Sequence, residues 1–252
     1  MAYKATSQNG SSFSTSCKSV AVSENGHNQS APIAPLDFAD MNSTGWVAFD
    51  LPWSDEATFN AQLLSFASQL GTPVPTRPGS GIFDILIPRR ADVAHPNSLS
   101  KIYDVGEFPL HIDTAHWLNP CRYILMGCIA PGLTNRCTNL LDTKRVKLND
   151  WQVDLLYRSP FRVRNGRRSF FSTILSKDRQ FVRLDPGCMS PASDDGFKAL
   201  NVYSESKQED SIDRVKWKTG RVLLLDNWRV LHGRAAGHGL DPDRKQLRIS
   251  IL

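Results

Sequence analysis

The stretch Gly106-Glu107-Phe108-Pro109-Leu110-His111-Ile112-Asp113-Thr114 sets a histidine and an aspartate two residues apart. In an extended chain such residues point to the same side, so His111 and Asp113 can present an imidazole and a carboxylate together. That is two of the three ligands of a facial 2-His-1-carboxylate site, which holds Fe(II) and leaves coordination positions open. Alone the pair says little. Six histidines and 25 acids in 252 residues give about 0.6 His-x-acid pairs by chance, and a surface His–Asp neighbour pair fits the pattern equally well.

A second segment supplies the missing histidine. Gly220 to Arg234 reads as an apolar strand, Arg221–Leu225, a polar turn at Asp226-Asn227, and a return to a lone His232 on another short strand. Twelve residues beyond His232 comes Arg244, followed by Gln246 and Arg248. With period two these three share one strand face, and Leu247, Ile249 and Ile251 take the other. Two guanidiniums on an inner strand face are costly unless each meets an anion, and their planar forks suit carboxylates.

These blocks, in this order, make the chain resemble the Fe(II)/2-oxoglutarate-dependent dioxygenases of the taurine dioxygenase and γ-butyrobetaine hydroxylase (TauD/TfdA) branch, over roughly residues 40–252. The resemblance implies a double-stranded β-helix with iron near one mouth of the barrel. It matches His111, Asp113 and His232 to the iron ligands, and Arg244 to the arginine that pairs with the C5 carboxylate of 2-oxoglutarate. Thr138, in Arg136-Cys137-Thr138-Asn139, matches a hydroxyl on that carboxylate. Arg248, with Gln246 nearby, matches the group that holds the acidic end of the substrate. The implied reaction consumes Fe(II)-bound 2-oxoglutarate and O2 and hydroxylates an unactivated C–H bond of a small acidic or amino-acid-like substrate, releasing succinate and CO2. Desaturation or epoxidation at the same iron, and nucleic-acid demethylation, are the alternatives within the superfamily. Demethylases space their C-terminal arginines more widely than Arg244 and Arg248, so nucleic acid is not the expected partner. Halogenases lack the carboxylate ligand that Asp113 supplies. The chain also lacks the Cys-rich N-terminal zinc module of the γ-butyrobetaine branch. A metal-free jelly-roll binding module is the competing class.

The elements that must position these residues are mostly short strands: Trp46–Phe49, Ile82–Ile87, Tyr123–Ile129, Phe161–Arg164, Phe170–Leu175, Phe181–Leu184, Arg221–Leu225 and Leu247–Leu252. Few helices interrupt them. Ser54 reads as an N-cap before Phe59, Leu63, Phe66 and Leu70, which line one helix face up to Gly71. Shorter helices fit Asn149 to Tyr157 and a run starting at Ser193. The expected fold is therefore mainly β: a double-stranded β-helix (jelly roll, cupin-like) with a few flanking α-helices. Trp117 and Trp228 read as packing, His116 as a neighbour of the metal pair, and Arg234 as a structural partner of Asp226.

At 252 residues the chain suits one generous domain. Residues 1–35 are Ser-rich and aperiodic and are expected to be a disordered tail, leaving 36–252 as a single domain. Five cysteines without a C-x-x-C pair argue against a disulfide scaffold or zinc ribbon. No apolar run is long enough to cross a membrane, and none resembles a signal core, so a cytoplasmic protein is expected. Homo-oligomerisation is left open. Between Lys144 and Arg183 eleven Lys/Arg face three acids, a net +8; such a field can steer an anionic or zwitterionic substrate.

Overall fold

Alternate residues of Tyr123–Ala130 and Arg221–Asp226 fall on opposite sides of one sheet, and that alternation organises the interior. The computed structural model describes residues 38–134, 136–178, 180–205, 211–237 and 239–252. The tail expected over residues 1–35, with Cys17, lies outside the described residues. The elements run α1 (Phe38–Thr44), β1 (Trp46–Asp50), α2 (Glu56–Leu70), β2 (Pro73–Val74), β3 (Asp84–Leu86), α3 (Leu99–Tyr103), β4 (Tyr123–Ala130) and β5 (Thr138–Asp142). They continue with α4 (Asp150–Arg158), β6 (Phe161–Asn165), β7 (Arg168–Ser172), β8 (Met189–Pro191), α5 (Asp194–Glu205), β9 (Ile212–Val215), β10 (Arg221–Asp226), β11 (Val230–Arg234) and β12 (Lys245–Ile251).

Among the described residues all strand pairing is antiparallel. The major sheet has the order β1-β10-β4-β12, with β2 and β3 sharing the far edge of β12. A minor sheet runs β11-β5-β9 and a third β7-β6-β8. Mainly antiparallel sheets with few helices make the expected double-stranded β-helix class. Among the described residues no helix is long and apolar enough to cross a membrane.

On one side of the major sheet Leu125, Val222, Leu224, Leu247, Ile249 and Ile251 meet Phe59, Leu63 and Phe66 of α2. Each large side chain buried there stabilises the fold by roughly 1.5–3 kcal/mol. A Cβ at Gly127 would lie 2.5 Å from Leu63 and 2.8 Å from Phe59, so only glycine lets α2 sit this close to β4. On the other side Ile124, Met126, Leu223 and Leu225 face Leu140, Val215 and Val230 of the minor sheet, and Trp217 just beyond it. Gln246 and Arg248 lie on that second side by the same alternation, so the arginine-bearing face of β12 looks into the gap between sheets.

Several expected boundaries shift. Asp55, not Ser54, caps α2, accepting from Thr58 N–H at 2.9 Å; with Ser54 one residue earlier, the two oxygen-bearing candidates compete and the carboxylate prevails. Asn149 caps α4 in a reciprocal box with Gln152. The strand expected over Phe170–Leu175 instead occupies β7, because Gly166 at φ 60 turns the hairpin early. Among the described residues Phe181–Leu184 forms no ladder beyond the single pair Leu175–Val182.

Candidate metal centre

His111 and His232 form a bridging pair: His111 N–H donates to the His232 carbonyl at 2.9 Å, and His232 N–H returns the bond at 2.8 Å. Their rings lie 4.6 Å apart. His232 sits in β11 on the same side as Val230, toward the gap between sheets. Close approach of the His111 strand depends on Gly233, where a Cβ would lie 2.6 Å from the Phe108 carbonyl oxygen. Asp113 follows two residues after His111. One ligand atom from each of His111, Asp113 and His232 lies within 4.8 Å of the other two, and all three residues are buried.

The orientation of each group has a source. The Nδ1 of His111 meets the Pro109 carbonyl at 2.8 Å, so this nitrogen carries the proton and Nε2 holds its lone pair free. Asn227, wholly buried, accepts from Asp113 N–H at 2.9 Å and donates to the Asp113 and Cys121 carbonyls at 3.0 and 2.9 Å. Arg248 donates to Asp113 Oδ1 at 2.5 Å and to Asp84 Oδ2 at 2.9 Å. The other carboxylate oxygen, Oδ2, lies 3.4 Å from His232 Nε2 and accepts no hydrogen bond among the described residues.

Burial by itself would raise the Asp113 carboxyl, but the Arg248 guanidinium and the two imidazoles outweigh it and hold the group well below the usual carboxylate range. Burial, reinforced by His232, pulls His111 below its ordinary value. The set therefore presents an anion and an uncharged imidazole, the states a metal needs. A buried carboxylate oxygen without a donor, beside two imidazoles, fits a divalent cation of the Fe(II) type.

Three arginines, Arg136, Arg234 and Arg244, lie close enough for their charges to act on one another. Arg244 is buried; it donates to the Arg136 carbonyl at 2.8 Å and to Gln246 Oε1 at 3.3 Å. Burial, then the nearby Arg136 and Arg244 charges, depress Arg234 to about 10. Three guanidiniums thus share one region and use mainly backbone carbonyls as partners. Such a cluster is costly unless an anion joins it. Thr138 in β5 contributes a buried hydroxyl that accepts from Trp217 Nε1 at 3.0 Å, leaving its proton to donate. Arg244 and Gln246 are therefore brought together beside Arg136, and Thr138 lies two residues along the chain from Arg136.

Other expectations come out differently. Gln246 partners Arg244 and not Arg248. Arg248 spends both terminal nitrogens on Asp113 and Asp84, so a substrate acid could reach it only by exchanging with one of them. Arg234 does not pair with Asp226; its guanidinium lies 3.6 Å over Phe108 and donates to the Gly106 carbonyl, while Asp226 takes Arg122 at 2.9 Å. Trp228 packs, as expected: its indole N–H donates to the Pro120 carbonyl at 2.9 Å, with Arg122 stacked 4.7 Å above it. Arg183 is buried and so does not belong to the basic field in which its charge was counted. Sequence reasoning passed over Asn227, Asp84 and Arg183 as working residues.

Residues 138–249 match the family model described as "Taurine catabolism dioxygenase TauD, TfdA family". No curated protein matches the chain by sequence. Among solved structures, an asparagine oxygenase in complex with Fe(II), 2S,3S-3-hydroxyasparagine and succinate is similar at TM-score 0.68 and 18% identity, covering 86% of this chain and 78% of that one. The non-heme iron oxygenase OrfP with Fe, succinate and (3S)-hydroxy-L-Arg is similar at TM-score 0.67 and 16% identity, covering 87% and 81%. The same enzyme with Fe and alpha-ketoglutaric acid gives TM-score 0.64 and 17% identity, covering 87% and 80%. At such identities the likeness speaks for a shared fold.

Proposed function

We propose that the chain, whose residues 138–249 match the TauD/TfdA dioxygenase family model, is an Fe(II)- and 2-oxoglutarate-dependent oxygenase. It hydroxylates an unactivated C–H bond of a small amino-acid-like or acidic substrate and releases succinate and CO2. The observation that carries this reading is the buried convergence of His111, Asp113 and His232 with Asp113 Oδ2 left without a donor. The similar asparagine oxygenase and OrfP, with hydroxylated amino acids and succinate in their complexes, favour an amino-acid-like substrate. Residues 36–252 form the catalytic domain in this reading, and it acts on a small molecule.

His111, Asp113 and His232 would hold the iron, which together with 2-oxoglutarate and O2 supplies the oxidising power for C–H cleavage. The chain itself does four things. The Pro109 carbonyl fixes the His111 tautomer, so that the free ring nitrogen is the ligating one. Asn227 clamps the Asp113 main chain while Arg248 occupies one carboxylate oxygen, so the other is presented singly. Arg244, with Gln246 at its side, would take the C5 carboxylate of 2-oxoglutarate through charge-assisted bonds, with the Thr138 hydroxyl, whose proton is left to donate, as the candidate second donor. Burial of all three ligands keeps bulk water away from the reacting centre. Arg248 remains the candidate for the substrate's acidic group, by exchange with Asp84 at the outer side of its fork.

The test is succinate release from the purified chain with Fe(II), O2 and 2-oxoglutarate, screened across amino acids and small carboxylates. Substrate-dependent succinate with a product 16 Da heavier supports the reading, since one oxygen atom is added. Turnover independent of Fe(II) contradicts it.

A further inference from the structure

Among the described residues, the segment that carries His111 and Asp113 joins no ladder beyond its one bridging pair with His232, so other contacts must fix Asp113. Ahead of it, Ile112 N–H donates to the Leu184 carbonyl at 2.8 Å. Just after it, the chain turns through Thr114 at φ 56, a left-handed conformation that a β-branched residue adopts only when held. The Thr114 hydroxyl accepts from Cys121 N–H at 2.9 Å, and its carbonyl accepts from Trp117 N–H at 2.8 Å.

The far side of this turn is held by Arg183, adjacent to Leu184. Its guanidinium donates to the carbonyls of Ala115, Trp117 and Leu118, the last two at 2.6 and 2.7 Å. The rings of Phe170 and Phe181 cover it, each 5.2 Å away. Arg183 is 2% exposed, and among the described residues no carboxylate bonds to it. Burial draws it down to about 10. An unpaired buried cation is a poor way to fill space, since an apolar side chain would fill it without desolvation cost. What only a planar guanidinium offers is several donors aimed at carbonyls that converge from one turn.

We propose that Arg183 is a positioning residue for the metal centre. With the Leu184 carbonyl on one flank of Asp113 and the Arg183 guanidinium on the other, the Arg183-Leu184 dipeptide sets the direction in which the carboxylate is presented. Arg183 touches none of the three ligands; it acts through the Thr114–Leu118 turn. The inference rests on the reading of His111, Asp113 and His232 as metal ligands.

The test is calorimetric titration of the full metal-free chain with Co(II), with the visible spectrum of the bound ion as second readout. Arg183→Met keeps an apolar stem between the two rings and removes the donors. Groups that orient a ligand typically contribute about ten- to a hundredfold in metal affinity, so Arg183→Met should weaken Co(II) binding by about that factor and alter the spectrum. Arg183→Lys, which restores a cation without the fork, should fall in between. If Arg183→Met does not fold, Arg183→Lys decides by the same two readouts. Wild-type affinity and spectrum in the folded variant, with only a lowered Tm, overturn the positioning role. Failure of the wild type to bind one Co(II), or equal binding by His232→Ala, overturns the metal reading itself.

Discussion

Arg248 and Asp113 meet at 2.5 Å through Oδ1 alone, so the guanidinium decides which carboxylate oxygen is left for a metal. This makes Arg248 a partner of the metal centre as well as the candidate for a substrate acid. Outer partners that hold a ligating carboxylate typically contribute about ten- to a hundredfold in metal affinity. Arg248→Ala should therefore weaken metal binding by about tenfold or more, measured by titration in the absence of substrate. Unchanged affinity would leave Arg248 with the substrate role only.

Asp84 separates the two roles. It holds the outer nitrogen of Arg248 at 2.9 Å and also accepts from the Thr76 hydroxyl at 2.8 Å. If an acidic substrate must displace it, Asp84→Asn removes a competing charge and should lower KM for that substrate while leaving metal affinity nearly unchanged. The comparison is the substrate against its amide, in wild type and variant. A raised KM for the acid contradicts the exchange.

Arg244 is expected to act on 2-oxoglutarate and not on iron. Arg244→Ala should raise the 2-oxoglutarate Kd by about ten- to a hundredfold with metal stoichiometry intact. Loss of metal together with 2-oxoglutarate would mean that Arg244 supports the fold around Arg136 instead.

The pH dependence follows from the directions of the shifts. His111 is held below its usual value and Asp113 below its own, so in the folded chain both are in the ligating state at neutral pH. Metal affinity should change by less than about threefold between pH 7.5 and 6.5, and fall only in more acid solution. The unfolded chain takes up a proton at His111 first, near pH 6.5, and at Asp113 near pH 3.9. Both groups therefore make the metal-free protein less stable as pH falls below those values, which thermal unfolding from pH 7 to pH 3 would record. A steady tenfold loss of metal affinity per pH unit from 7.5 downward contradicts the His111 assignment.

What could be read from the sequence was what depends on local spacing. Period two placed Leu247, Ile249 and Ile251 on the α2 side and Arg248 on the other, and the same rule paired His111 with Asp113. What could not be read depends on contacts far along the chain. Asn227 is 114 residues from the main-chain groups of Asp113 that it clamps, and Arg183 is 65 to 68 residues from the carbonyls it bonds. Neither residue type announces such a role. Charge counting placed Arg183 in a surface field although it is buried, because a count of charges carries no information on burial. For Arg248 the expected anion is a substrate acid, and its internal partners depend on distant pairing: Asp84 reaches it because β3 pairs with β12, putting Asp84 opposite Arg248.

The central claim is that His111, Asp113 and His232 form one iron site that takes 2-oxoglutarate. Its most direct test is the visible absorption of the chain with Fe(II) and 2-oxoglutarate under anaerobic conditions, in wild type and in His232→Ala. The account predicts a weak charge-transfer band of a metal-chelated 2-oxo acid in the wild type and none in the variant, with both proteins folded. A band of equal strength in His232→Ala, or no band in the wild type at saturating Fe(II) and 2-oxoglutarate, would contradict it.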